Sequence, residues 1–421
     1  MDKIIVEGGH VLEGTVRVSG AKNSALPILF ASLLASGKHT FKNVPHLKDV
    51  ESTLELLGSL NCKTSLADNT VIIESEEAKN LEAHYDLVRK MRASVLCLGP
   101  LISRYGFARV SLPGGCAIGA RPINLHLEAL EKMGATIKIE EGYVEATCKK
   151  LQGTTIIFDT VTVTGTENIM MAAVLAEGTT LLENAAKEPE IVDLAEYLNK
   201  MGAKITGHGT SIITIKGVGS LKATQHEVMP DRIEAGTLVI AGAITGGEVT
   251  VEGFNPVIIE SLIMKLSEIG FKIQSLTGKA SGVRVSSSGK FFPATDITTQ
   301  PYPGFATDLQ AQFMALMCVA QGTSIITETI FENRFMHVTE LSRLGADIAP
   351  KSRVAIVRGK PNGLTGAPVM ATDLRASASL VLAGLVAKGK TQVSRIYHLD
   401  RGYENLEKKL QSLGASIQRV P

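Results

Sequence analysis

Residues 111–122 read Ser-Leu-Pro-Gly-Gly-Cys-Ala-Ile-Gly-Ala-Arg-Pro, three glycines and two prolines around one cysteine. That composition describes a loop whose backbone can take conformations closed to most residues. Cys116 stands at its crest, with Arg121 five residues on. A thiol beside a fixed positive charge has a lowered pKa and can give or take a proton. The alternative is a small buried core cysteine, and Gly-Gly before it and Gly-Ala-Arg-Pro after it are poor core surroundings.

A second set of residues marks the starts of apolar helices: Lys22 and Asn23; Arg89, Lys90 and Arg92; Glu167 and Asn168; Asp231, Arg232 and Glu234; Asp308, Gln310 and Gln312; Asp373 and Arg375. A helix N-terminus carries about half a positive charge, so Asp and Asn there read as caps or as ion-pair partners. Lys or Arg at the same place is unfavourable unless an anion is also present. Lys22, Arg92, Arg121 and Arg375 therefore point to a multiply charged anion such as phosphate and carboxylate groups. The stretch Tyr397-His398-Leu399-Asp400-Arg401-Gly402-Tyr403 precedes the last amphipathic helix. Asp400 there could cap that helix, His398 could simply pack, and Arg401 beside a glycine reads as a ligand contact.

The elements that must position these residues repeat along the chain. A small-residue apolar run ends at a glycine six times: before Gly37, Gly106, Gly178, Gly247, Gly322 and Gly389. An amphipathic helix follows each and ends 23 to 28 residues later at Asn61, Gly134, Gly202, Gly270, Gly345 and Gly414. Asn is the next best residue to Gly in the left-handed conformation that closes a helix, so Asn61 obeys the same rule. The first helix type is apolar nearly all round and should be buried. The second carries an apolar stripe, as in Leu194, Leu198 and Met201, opposite Lys, Glu and Asn, and should lie outside. Short β-rich pieces follow each helix. The pattern predicts an α/β fold of two similar domains, each of three strand–helix–strand–helix units. The last unit ends short of strands, so residues 1 to 20 are expected to complete it. That gives one domain over 21–229 and a discontinuous second domain over 1–20 and 230–421. Two chain crossings would act as a hinge.

The 421 residues carry 43 basic and 42 acidic side chains, net charge +1, with no run of lysine or arginine. That argues against nucleic acid as a partner. No apolar run is long enough to span a bilayer, and nothing implies a protein partner. The five cysteines form an odd set without CxxC spacing, which argues against disulfides or zinc and for a reducing cytoplasm. No phosphate-cradling Walker loop, dinucleotide fingerprint, HExxH or GxSxG stands in the chain. The expectation is transfer chemistry with no cofactor and no metal.

Taken together, Ser19–Asn23, Leu112–Pro122, Pro230–Glu234, Thr307–Gln312, Phe331–Phe335, Ala371–Ala376 and Asp400–Tyr403 resemble the enolpyruvyl transferases over essentially the whole chain. The match is to the branch acting on UDP-N-acetylglucosamine at the first committed step of peptidoglycan synthesis. The shikimate branch lacks a loop cysteine of this kind. The resemblance implies two inside-out α/β domains, and transfer of enolpyruvyl from phosphoenolpyruvate to the sugar 3-hydroxyl, with release of phosphate. It implies that Cys116 protonates the phosphoenolpyruvate methylene carbon and that Asp308 accepts the hydroxyl proton. Lys22, Arg121 and Arg401 would hold phosphate and carboxylate, and Asn23 and Asp308 the amino sugar. Arg92, the stretch Arg121, Pro122, Ile123, Asn124 and Leu125, the stretch Thr162, Val163 and Thr164, and Ile330 would contact the uridine diphosphate. Some members carry Lys where Thr160 stands and Asp where Asn124 stands. Rival readings are a transferase acting on another hydroxyl acceptor, a ring-shaped clamp, and a cysteine peroxidase. The clamp predicts basic outer helices and the peroxidase a resolving cysteine near Cys116; neither is present in the sequence.

Overall fold

A computed structural model describes residues 2–77, 80–112, 123–287 and 291–421. The chain divides into two compact units. One gathers the residues up to Ser19 with Pro230–Pro421; the other runs through its described residues from Gly20 to Met229. Gly20 thus falls with the residues that follow it. It lies against the Asn43 carbonyl so closely that a Cβ would sit 1.7 Å from that oxygen.

Each unit is built around three apolar helices. In the 20–229 unit these are α1 (Lys22–Ala31), α2 (Leu98–Tyr105, preceded by a 3-10 segment Arg92–Cys97) and α3 (Val163–Ala173). In the other they are α4 (Arg232–Thr245), α5 (Gln310–Met317) and α6 (Leu374–Val386). Nearly every residue of these helices is buried, because small side chains let their backbones approach. At the α2–α3 contact, Gly99 N–H donates to Asn168 Oδ1 at 2.7 Å and Ser103 Oγ donates to the Ala172 carbonyl at 2.6 Å. A Cβ at Gly99 would meet the Asn168 carbonyl oxygen at 2.3 Å, so glycine is required there.

The outer helices bury one stripe each; Pro189–Lys200 buries Ile191, Leu194, Ala195, Tyr197 and Leu198. The residue that ends each outer helix is left-handed: Asn61, Gly134, Gly202, Gly270, Gly345 and Gly414 all have φ between 70° and 107°. The repeat read from the sequence is therefore a repeat of helix closures.

Among the described residues six four-stranded sheets cover the helices, three per unit, and the strand content exceeds the expected two per repeat. In the second sheet Glu82–Ala83 pairs parallel with Phe107–Ser111, which pairs antiparallel with Tyr143–Thr147, which pairs antiparallel with Thr136–Glu140. The extra strands are the hairpin after each outer helix and a short parallel edge strand. Two sheets borrow from the N-terminus. Lys3–Glu7 lies antiparallel between Lys390–Ser394 and Ser416–Val420, as expected for the last repeat. Glu13–Arg17 does not join it. It pairs parallel with Glu248–Glu252 and edges the fourth repeat's sheet. The expectation that residues 1–20 complete the last repeat alone is corrected here: the strand needed just before α4 comes from the chain ahead of the first crossing. In the 20–229 unit the matching edge strand is Gln225–Glu227, parallel to Gly37–Lys42.

Two separate hydrophobic cores follow the division, one from Ala25 to Val228 and one from Ile4 to Ile417. The crossings are paired within each unit. Ala21 N–H donates to the Met229 carbonyl at 2.7 Å, and Asp231 N–H donates to the Ser19 carbonyl at 2.8 Å. Ser19 N–H in turn donates to the buried Glu234 carboxylate, which Lys409 Nζ holds at 2.7 Å.

Candidate active site

In the 20–229 unit, Lys22 is the first residue of α1 and Asn23 the second. No side chain caps this helix, and Lys22 is almost fully buried. Its Nζ lies 2.6 Å from Asp49 Oδ2, which projects from the outer helix Lys48–Ser59. The unfavourable sign at the helix start is thus offset by a protein carboxylate, a partner that sequence reading did not supply. The signal available was an acidic residue in the first turn of that helix.

Thr162 caps α3, its Oγ1 accepting Gly165 N–H at 3.1 Å, so Val163 and Thr164 form the first turn. Ile123 precedes the outer helix Asn124–Lys132 and is buried; Asn124 is exposed and donates to Glu128 at 3.2 Å, and Leu125 is half-buried. On that helix His126 is buried and joined to both Asn168 (3.0 Å) and Thr164 (3.4 Å). Burial, and then the Arg92 guanidinium, push the His126 imidazole down to about 4. The structure therefore brings together Arg92, His126 and Thr164. Cys116, Arg121 and Pro122 lie outside the described residues.

In the other unit, Asp308 sits in the 3-10 turn Thr307–Leu309 ahead of α5. It caps nothing. Arg334 Nη2 donates to Oδ1 at 2.7 Å, and Arg375 donates to Oδ2 through Nη2 at 2.8 Å and Nε at 3.2 Å. Both arginines are buried. Burial raises the Asp308 carboxyl, but Arg375 and Arg334 together outweigh it and hold it well below the usual carboxylate range. Arg334 was part of a recognised segment with no role assigned. Its importance is readable only once the fold places it 26 residues away against Asp308.

Arg375 is the second residue of α6. Asp373 caps that helix through the N–H groups of Arg375 and Ala376, and Asp231 caps α4 through Ile233 and Glu234. Both carboxylates left open in the sequence are thus caps. Glu328 holds the turn at Ile330, accepting its N–H at 2.8 Å, and also accepts Thr307 Oγ1 at 2.7 Å beside Asp308. Arg401 closes the 3-10 segment Ile396–Arg401. Asp400 beside it caps no helix: Arg419 grips both its oxygens, at 2.5 and 3.1 Å. His398 packs against the Tyr397 ring at a tilt of 37° and is half-buried.

Among the described residues no group of acidic, histidine and cysteine side chains is arranged to hold a metal ion, and no helix is long and apolar enough to cross a membrane. Cys62, Cys97, Cys148 and Cys318 are free thiols.

The family model described as EPSP synthase (3-phosphoshikimate 1-carboxyvinyltransferase) matches residues 6–410. The chain is 65% identical over 417 residues to a Bdellovibrio bacteriovorus protein named UDP-N-acetylglucosamine 1-carboxyvinyltransferase, covering 99% of this chain and 100% of that one. It is 58% identical to the Myxococcus xanthus protein of that name, covering 100% and 99%. Among solved structures, the enolpyruvyl transferase NikO from Streptomyces tendae superposes with a TM-score of 0.88 at 26% identity, covering 100% and 99%. An EPSP synthase from Acinetobacter baumannii, at 19% identity, shares the fold with a TM-score of 0.76 over both whole chains. With six repeated sheets around buried helices and matches of this length and identity, the chain belongs to the EPSP synthase family of enolpyruvyl transferases.

Proposed function

We propose that this protein transfers the enolpyruvyl group of phosphoenolpyruvate to the 3-hydroxyl of UDP-N-acetylglucosamine, with release of phosphate. The observation that carries the reading is full-length identity of 65% to a relative bearing the name of that activity. The chemistry divides into addition and elimination. The sugar hydroxyl oxygen bonds to C2 of phosphoenolpyruvate while its methylene carbon takes a proton from the Cys116 thiol. The hydroxyl proton passes to Asp308. Loss of phosphate and of a methyl proton then restores the double bond. Lys22, Arg121 and Arg401 hold the anionic groups through this charge movement, and preorganised cations of this kind supply much of an enzyme's rate.

The geometry adds a condition to the base role. A carboxylate that accepts three guanidinium hydrogen bonds is a weak proton acceptor. Asp308 gains basicity when one guanidinium turns to the substrate's anionic groups, and Arg375, beside the cap of α6, is the one assigned to do so. Arg92, Ile123 to Leu125, Thr162 to Thr164 and Ile330 are assigned to the nucleotide. The free thiols and the mixed-charge surface fit a cytoplasmic enzyme.

The test is phosphate release from phosphoenolpyruvate with and without UDP-N-acetylglucosamine. Release that requires the sugar nucleotide supports the reading. Release with another hydroxyl acceptor and none with this one overturns it.

A further inference from the structure

The amide of Asn168, wholly buried in α3, is oriented by a backbone group. Gly99 N–H can only donate, and it reaches Oδ1 at 2.7 Å. The other end of the amide is therefore its NH2, which donates to His126 Nδ1 at 3.0 Å. An imidazole that accepts at Nδ1 and is neutral carries its proton on Nε2. His126 is neutral at physiological pH, with burial and Arg92 pushing it down to about 4. Its Nε2–H faces Thr164 Oγ1 at 3.4 Å. That oxygen is thus the acceptor, and its own hydroxyl proton meets no acceptor among the described residues.

We propose that His126 is a positioning residue of the nucleotide site, which through the chain Gly99–Asn168–His126 fixes the Thr164 hydroxyl as a donor toward a phosphate oxygen of the ligand. The proposal rests on the reading that Thr162–Thr164 meet the uridine diphosphate. Phosphate is the acceptor that suits the place. The first-turn N–H groups of Val163 and Thr164 have no partner inside an 11-residue helix, and they bring its positive end to the same spot. Arg92 adds a charge within electrostatic reach of His126. A ligand group that donates there, such as a hydroxyl, would face a donor already committed by three linked hydrogen bonds.

The experiment titrates the full-length protein with uridine diphosphate by calorimetry. Thr164→Val, which keeps the shape and removes the hydroxyl, should weaken binding about tenfold, the scale of one hydrogen bond to a charged group. Thr164→Ser should restore it. His126→Phe should lose as much as Thr164→Val, and His126→Gln, which keeps a donor near the Nε2 position, should lose less. The double variant Thr164→Val, His126→Phe should lose no more than either single change, because both break one chain. Losses that add, or a Thr164→Val protein that binds as the parent does, overturn the proposal. Nitrogen-15 spectra of the unsubstituted protein decide independently of any variant's folding: a proton on Nε2 of His126 is expected, and one on Nδ1 sinks the idea. A parent protein that fails to bind uridine diphosphate at all would instead bring down the functional reading beneath it.

Discussion

The carboxylate of Asp308 accepts three guanidinium hydrogen bonds, so Asp308→Asn leaves two buried arginines facing an amide. Removing one member of a buried ionic cluster costs roughly 3 kcal/mol. The expected outcome is therefore a lower melting temperature together with lost turnover, the first read by calorimetry and the second by phosphate release. An unchanged melting temperature would contradict the arrangement. Lys22 can be tested in the same way, since its Nζ lies 2.6 Å from Asp49 Oδ2. Lys22→Gln should weaken phosphoenolpyruvate binding and also reduce stability by removing the charge that pairs with the buried Asp49. Adding Asp49→Asn should recover stability without recovering phosphoenolpyruvate affinity. Denaturant titration and ligand titration check the two halves. His126 makes stability depend on acid. Its folded-state value of about 4 lies below the unfolded value near 6.5, so the unfolded chain binds the extra proton between them. The stabilisation is full above about pH 6.5 and falls as the pH drops toward 4. In His126→Gln that part of the acid sensitivity should vanish, as read from unfolding midpoints at pH 7 and pH 5. Neither the Asp308 nor the His126 partnership is legible in the sequence. Asp308 meets Arg375 67 residues away and Asn168 meets His126 42 residues away, and spacing along a chain carries no signal at such distances.

The elements themselves were far more legible, for a physical reason. Helix closures, apolar stripes and small-residue faces are written in neighbouring residues, so Asn61 could be matched with five glycines before any fold was known. What local patterns miss is the close fit between elements. Gly99 reads as one small residue among many, yet it is where α2 touches α3, with Asn168 oxygens 2.3 and 2.4 Å from where a Cβ would stand. Gly99→Ala should force the helices apart at a cost of about 1–3 kcal/mol, typical of overpacking. It should also break the first link of the chain to Thr164. The expected result is lower stability with weaker uridine diphosphate binding, measured by thermal unfolding and calorimetry. An alanine variant as stable as the parent would mean that the contact is looser than its geometry.

At the scale of the whole molecule, the 20–229 unit contains every strand of its own three sheets, including the Gln225–Glu227 edge. Residues 230–421 lack two strands, Lys3–Glu7 and Glu13–Arg17. Expressed alone, residues 20–229 should unfold cooperatively on heating, as followed by circular dichroism. Residues 230–421 alone should not, and fusing residues 1–19 ahead of Pro230 should restore the transition. A cooperative transition in unaided 230–421 would show that those strands are dispensable. The borrowed strand Glu13–Arg17 was missed in the sequence because its neighbour in the chain, α1, belongs to the other unit. Its neighbour in space comes after more than half the protein.

That displacement sets an order of events during synthesis. Translation at 5–20 residues per second leaves roughly 10 to 40 s between synthesis of Met229 and synthesis of the Ser416–Val420 strand. The contiguous unit can fold on the ribosome during that interval. The Lys3–Glu7 strand is made ahead of that unit but satisfied after it. Ile4 and Val6, buried in the finished sheet, stay uncovered until Lys390–Ser394 and Ser416–Val420 emerge. The Lys3–Glu7 strand thus leaves the exit tunnel ahead of the contiguous unit, and a holding chaperone would have to shield it until the last repeat follows.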